Sequence, residues 1–410
     1  MRGAITCSCQ NSDAWLMSSV IAASNPKLAL AFALDILDRR RVVLCLLIVS
    51  MAMAAGCEKP EEQTVNVGGV TYAFGSETGL FGKRRDRTGG VAIAGLGADG
   101  VNDIFVVNGR HWEEDNVLMR NQQSALEFDE QIIGLAPNTG YGACPGDVDN
   151  DGDMDVIVAR DGPPPGVYVN SGNRTFLEVV DIGRPTASRD CAVEDLNGDG
   201  TLDVVFSERG GQSYALLGPL LNSPERIDLF EGPAVGVSTG DVDGDGLVDI
   251  AFSLRGMASV ALLRQNTDGS FGPFEVFGSA AEESRALASH DIDGDGTSEI
   301  VLAGLTGPSR ILKFAGGALV TSHVFEGVDT ASAVAVADLN DDGQDDFVFG
   351  VRGRNVVVLA KGEVYETVVL PGIEATTYDV ATGDLNGDSV PDLVFANSGA
   401  KNEILLSLEN

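Results

Sequence analysis

Asp147-Val148-Asp149-Asn150-Asp151-Gly152-Asp153-Met154-Asp155, running into Val156-Ile157-Val158, carries side-chain oxygens at its first, third, fifth and ninth positions. The glycine at the sixth position permits a sharp turn that folds those oxygens toward one another. The β-branched run behind it makes the loop open into a strand and not a helix.

The same frame returns five times. It supplies Asp195, Asn197, Asp199 and Asp203; Asp241, Asp243, Asp245 and Asp249; and Asp291, Asp293, Asp295 and Glu299. It then supplies Asp338, Asn340, Asp342 and Asp346, and finally Asp384, Asn386, Asp388 and Asp392. A worn copy at 95–103 precedes them all, with Gly95 and Gly97 in place of the first two ligands. The loops begin at 95, 147, 195, 241, 291, 338 and 384, a spacing of 46 to 52 residues that marks an internal repeat.

Each repeat holds four short apolar runs rich in β-branched residues, such as Val235–Thr239, Ile250–Phe252, Val260–Leu263 and Phe274–Phe277. Four strands per unit of this length describe a propeller blade. The last unit stops at Asn410 before a fourth run, while a spare run, Val70–Phe74, stands before the first. The expected fold is therefore all-β. It is a seven-bladed β-propeller of four-stranded blades over residues 68–410, its ring closed by an N-terminal strand that completes the last blade and covers an open edge.

Calcium takes six to eight oxygens at about 2.3–2.6 Å, and side chains at positions 1, 3, 5 and 9 with the carbonyl at 7 provide such a cage. Packed carboxylates without a cation repel. The expectation is up to six structural Ca2+ ions that pin the turns. An EF-hand is excluded, because the loop closes at position 9 and leads into a strand. The 384–392 loop has Ser389 where glycine belongs, so its turn is strained and its affinity lower; the 95–103 loop is expected to be empty. Modules of this kind bind in the ~10⁻⁴ to 10⁻³ M range, which cytosolic calcium would not fill.

The frame and its flanks, as in Gly240-Asp241-Val242-Asp243-Gly244-Asp245-Gly246-Leu247-Val248-Asp249-Ile250-Ala251-Phe252, resemble the VCBS/FG-GAP repeat of integrin-α-like propellers. The resemblance covers essentially all of 68–410. It implies the fold and the calcium, and it says little of function, since such propellers serve adhesion, sugar binding and as domains attached to enzymes.

Arg39, Arg40 and Arg41 precede an apolar run, Val42–Ala55, then Gly56 and Cys57. This reads as an export signal of the secretory type, residues 1–57, too short for a comfortable membrane span. Ala54-Ala55-Gly56-Cys57 resembles a bacterial lipobox, which implies lipidation of Cys57 in an outer-membrane or cell-surface lipoprotein. The alternative is cleavage after Ala52-Met53-Ala54 and secretion. Residues 58–67 form a tether. Cys144 and Cys191 either bridge adjacent blades, as an oxidising compartment allows, or remain as two buried thiols.

The net charge of −34 argues against nucleic acid and anionic lipid as partners, so any membrane contact is through the lipid anchor alone. The three histidines, His111, His290 and His323, form no recognisable catalytic motif, and no enzyme is expected. Trp112, in Arg110-His111-Trp112-Glu113-Glu114, is either a ligand contact or a packing residue. The function expected is a monomeric surface-anchored binding or adhesion scaffold with a protein or glycan partner. The alternatives are a calcium-stabilised lectin-like propeller and, further off, a polysaccharide-active enzyme.

Overall fold

The structure, a computed structural model, describes residues 63–75, 79–83, 86–122, 128–176, 178–362 and 364–408. They belong to one unit, Glu62–Asn410. The leader at 1–57, with Cys57, and the first part of the expected tether lie outside the described residues. Among the described residues every regular element is a strand, and every pairing between strands is antiparallel.

The arrangement is that of a propeller with four-stranded blades. Three sheets have four strands each and run in chain order: Thr88–Ala94 to Phe128–Asn138, Gly140–Gly146 to Glu178–Asp181, and Ser284–His290 to Ala318–Asp329. A six-stranded sheet begins with Ser188–Glu194 and ends with Glu275–Phe277. In it Asp203–Leu217 pairs with Ser188–Glu194 through its first half and with Glu225–Gly240 through its second. The second half of Glu225–Gly240 then pairs with Asp249–Leu254. The remaining strands, from Ala331–Ala337 to Asn402–Leu408, join the N-terminal strands in a ten-stranded sheet.

The strand that leaves each loop is buried on both faces, as in Asp155–Arg160 and Asp249–Leu254. That explains why these segments are apolar without alternation. The core lies between successive sheets: Ile157 and Val167 of one meet Val204, Phe206 and Tyr214 of the next. A disulfide between Cys144 and Cys191 crosses the same boundary, with the Cα atoms 6.1 Å apart. Of the two alternatives open to these cysteines, the structure has the bridge.

Val70–Phe74 pairs with Asn402–Leu408 through Thr71↔Leu408, Tyr72↔Ser407 and Ala73↔Leu406. Tyr72 is fully buried, and its hydroxyl donates to Pro391 O at 2.7 Å. Gln63–Val67, inside the segment expected as tether, is itself a strand paired with Val70–Phe74. Gly68 and Gly69, both at positive φ, allow the two-residue hairpin turn between them.

The ladder between each inner strand and its successor breaks register six residues before the loop. The unpaired residues are Gly89, Tyr141 with Gly142, Arg189, Val235, Arg285, Ser332 and Tyr378. A bulge at the same repeat position bends each strand and re-aims one side chain.

Candidate metal centres

The acidic loops owe their shape to two left-handed residues each. At position 6, Gly152, Gly200, Gly246, Gly296 and Gly343 have φ between 79° and 95°. Ser389 takes the same place at φ 70°, so the loop expected to be strained does carry a side chain in a conformation that disfavours one. Position 4 is also left-handed and holds Asn150, Gly198, Gly244, Gly294, Asp341 or Gly387, the residue types that tolerate it.

Backbone N–H groups then orient the carboxylates. Asp147 accepts from Asp151 N at 3.1 Å and Gly152 N at 3.0 Å, and Asp195, Asp241, Asp291 and Asp338 repeat this pattern. Position 9 is the anchor. Asp155, fully buried, accepts from Val148 N at 3.1 Å and from Asn170 N at 2.7 Å, joining the loop to the third strand. Asp203, Asp249, Asp346 and Asp392 do the same. Burial, opposed by these hydrogen bonds, pushes Asp155, Asp249 and Asp346 up to about 6 and Asp392 up to about 7. A nearby cation would reverse that shift.

Carboxylate oxygens of Asp147, Asp149 and Asp155 lie within 4.8 Å of one another, as do those of Asp241, Asp243 and Asp249. Oxygens bound to one calcium ion can be no further apart than twice the bond length, about 4.6–5.2 Å. The all-oxygen donor sets of these two loops therefore fit a hard divalent cation. Arg264 flanks the second set, bonding Asp243 at 3.1 Å and Glu275 at 2.8 Å. The 195–203 and 338–346 loops keep the same turn, with an amide oxygen at position 3. Asn197 and Asn340 there accept from the N–H of Asp199 and Asp342.

Beyond the single Asp243 contact of Arg264, two loops hold a cation of the protein's own against several carboxylates. In 291–299, oxygens of Asp291, Asp293 and Asp295 also lie within 4.8 Å. Lys313 Nζ, however, sits 2.7 Å from Asp293, 2.8 Å from Asp295 and 3.1 Å from Glu299. The longer Glu299 reaches the ammonium, and the contacts hold Asp295 well below the usual carboxylate range. In the worn 95–103 copy, Arg174 from the next sheet bonds Asp103 at 2.6 Å and both oxygens of Asp99 at 2.9 Å. A Cβ on Gly97 would meet Arg174 Nη1 at 2.1 Å, so the loss of a ligand at that position makes room for the guanidinium. The loop expected to hold no calcium carries this guanidinium instead. In 384–392, Ser407 Oγ lies 2.9 Å from Asp392 and 3.0 Å from Asp388, and Asn386 donates to Asp388.

The other sites named from sequence lie apart. Trp112 is 61% exposed, with the Arg87 guanidinium 5.1 Å from its ring. His290 pairs with Asp345 at 2.9 Å, joining one acidic loop to the next. His111 lies 2.8 Å from Asp161 and close to the Tyr141 hydroxyl. A cluster of cations and aromatic rings escaped the sequence reading: Arg110, Arg189 and Arg285 packed on Tyr141 and Tyr378. Reading the repeats by column, six residues before each loop, would have found four of the five.

The sequence profile of the FG-GAP-like repeat matches residues 96–158, 147–206, 241–302 and 291–349. Among solved structures the chain is similar to BBS1N in complex with ARL6DN, at TM-score 0.59 and 12% identity, covering 81% of this chain and 97% of that one. An Agrocybe aegerita lectin that recognises non-reducing terminal N-acetylglucosamine aligns at TM-score 0.49 and 18% identity, over 75% of this chain and 85% of that one. No curated protein sequence matches.

Proposed function

The chain belongs to the FG-GAP-like repeat family, and on that premise we propose that it is an exported calcium-binding propeller serving as a surface-anchored binding or adhesion scaffold. The observation that carries this reading is the set of acidic loops, whose oxygens converge within 4.8 Å without a protein cation at 147–155. Asp147, Asp149, Asp151 and Asp155 would hold the ion there. Asp241, Asp243, Asp245 and Asp249 would do so in the second strong site, with weaker sites at 195–203 and 338–346. The ion would supply charge neutralisation and a cross-link of the turn. Millimolar affinity suits an extracytoplasmic setting, and the Cys144–Cys191 bridge agrees with it. Cys57 is the proposed anchor.

In this reading the ring has seven blades and is closed. Two contacts between the first and last repeats support closure, because each repeats one made between adjacent blades. Asn121 Nδ2 donates to Leu385 O at 2.6 Å, as Asn170 does to Leu96 O and Gln265 to Leu196 O. Val91 N donates to Asp379 at 3.0 Å, as Val237 N does to Asp190 at 3.2 Å. The pairing of Val70–Phe74 with Asn402–Leu408 supports it separately, by adding a strand from before the first repeat to the last one.

A second reading, a calcium-stabilised lectin, is favoured by the exposure of Trp112 beside Arg87, since an open indole stacks on sugar rings. Glycan arrays and envelope protein extracts, probed in calcium and then in chelator, separate the two. Protein hits alone support the scaffold, glycan hits lost on Trp112→Ala support the lectin, and no hits from folded protein refute both.

A further inference from the structure

Arg285 lies at the register break of its inner strand, six residues before an acidic loop, and thus toward the end of the strand away from that loop. Tyr141, Arg189 and Tyr378 occupy the same position in their own strands. Gly89 contributes no side chain at this level, and Arg110, from the turn after Asp103–Asn108, projects there. Its guanidinium carbon lies 3.7 Å from the Tyr378 ring centroid and 5.8 Å from that of Tyr141. Arg189 covers Tyr141 at 4.3 Å, and Arg285 covers Tyr378 at 4.3 Å.

These three cations are not equally satisfied. Arg110 donates to Ser398 Oγ at 2.8 Å, and Arg189 to Asp161 at 3.1 Å and to the carbonyls of Ala187 and Ser188. Arg285 makes no side-chain hydrogen bond and no ion pair among the described residues, and its Nε is buried. Burial above all, with Arg110 adding to it, pulls its guanidinium down to about 10. Asp379 and Asp190 face it, but each already accepts two backbone N–H groups: from Val91 and Val380, and from Cys191 and Val237. Burial pushes them up to about 6 and about 7, which thins their negative charge near neutrality. Asp161 is taken by Arg189 and His111.

A guanidinium partly withdrawn from water and lacking a partner is costly. Stacking on tyrosine holds its donors in one plane, the geometry that grips an oxyanion. Arg285 is only half-buried, so its outer nitrogens remain reachable. We propose that this cluster is a binding site for a small oxyanion, gripped by Arg285 and flanked by Arg110 and Arg189, on a chain that is otherwise strongly acidic.

The test is equilibrium dialysis of the full chain against radiolabelled sulfate, with acetate as competitor. One saturable site per chain is expected, weakened roughly tenfold to a hundredfold by Arg285→Gln and measurably by Arg110→Gln, as loss of a charged hydrogen bond requires. The exposed Arg184→Gln should bind like wild type. Melting curves establish that each variant folds, and Arg110→Gln decides if Arg285→Gln does not. Displacement by acetate assigns the site to carboxylates, and its failure assigns it to sulfate or phosphate groups. Absence of saturable sulfate binding, wild-type affinity in the folded arginine variants, or an equal loss in Arg184→Gln overturns the proposal.

Discussion

Replacing Lys313 by Gln should give the 291–299 loop a calcium ion that the wild-type loop takes poorly. In the wild type an incoming ion must displace an ammonium held at 2.7, 2.8 and 3.1 Å by three carboxylates. Two of these, Asp293 and Asp295, are about half exposed. Exposed pairs of this kind are individually weak, and three of them together weaken calcium binding by roughly threefold to a hundredfold. An intrinsic constant of ~10⁻⁴ to 10⁻³ M would thus move into the range of ~3 × 10⁻⁴ to ~10⁻¹ M, and the wild-type loop would fill later in a calcium titration than the loop of the variant. Isothermal titration should therefore find in Lys313→Gln one calcium site at least about threefold tighter than any the 291–299 loop offers in wild type. In chelator the variant should melt lower, since its carboxylates repel with nothing between them. In ~1 mM calcium the new site should return roughly 0.4–1.4 kcal/mol by mass action. Equal stoichiometry with equal affinity in the two proteins would refute the reasoning, and so would an unchanged melting temperature in chelator.

Arg174→Ala strips the partner from Asp103, which is fully buried, and should cost about 3–5 kcal/mol in urea unfolding, with no recovery in calcium. Deleting residues 66–76 removes Val70–Phe74 from the edge of Asn402–Leu408 and should unfold or aggregate the protein; a normal melting curve would count against the closed ring. Reducing the Cys144–Cys191 bridge opens a loop of 47 residues and should cost at most ~4 kcal/mol, read as a lower melting temperature in reductant. Asp190 and Asp379 have folded pKa values of about 7 and about 6, above the ordinary 3.8. Their contribution to stability is full below pH 3.8 and is lost as pH rises to about 7, so calcium-free protein should melt lower at pH 8 than at pH 5, and Asp190→Asn should flatten that slope.

The loops were legible because their chemistry is local. Nine consecutive residues contain the ligand positions, the two left-handed turn positions and the switch into a strand, so the strain at Ser389 was readable from one missing glycine. The hairpin of Gln63–Val67 was not, because a short polar strand next to a tether-like stretch gains its definition only from Val70–Phe74 and the Gly68-Gly69 turn. The cations inside the loops were invisible for a different reason. Arg174 lies 71 residues beyond Asp103, and Lys313 faces Glu299 only through the Ile300↔Leu312 pairing. Nothing in a linear frame shows which distant side chain will fold over it. The clustered arginines and tyrosines lie between these cases, since the shared place of Tyr141, Arg189, Arg285 and Tyr378 is visible once the repeats are aligned by column.

The loops that differ from the common frame differ in a consistent direction. Where Gly95 and Gly97 remove two ligands, Arg174 enters with a fixed charge. Where Glu299 replaces Asp, Lys313 enters and the extra methylene brings the carboxylate to it. Where Ser389 strains the turn, Ser407 and Asn386 hydrogen-bond the acidic side chains. All three substitutions answer one electrostatic problem, the mutual repulsion of clustered carboxylates, which any cation or strong donor relieves. A tethered donor relieves it at every calcium concentration, and an exchangeable ion only where calcium is plentiful. A propeller that mixes the two kinds has some turns that stay formed in chelator and others that loosen. The calcium-dependent loosening should therefore be confined to 147–155, 195–203, 241–249 and 338–346, with the 95–103 and 291–299 turns unchanged, a pattern that hydrogen exchange with and without chelator reads directly.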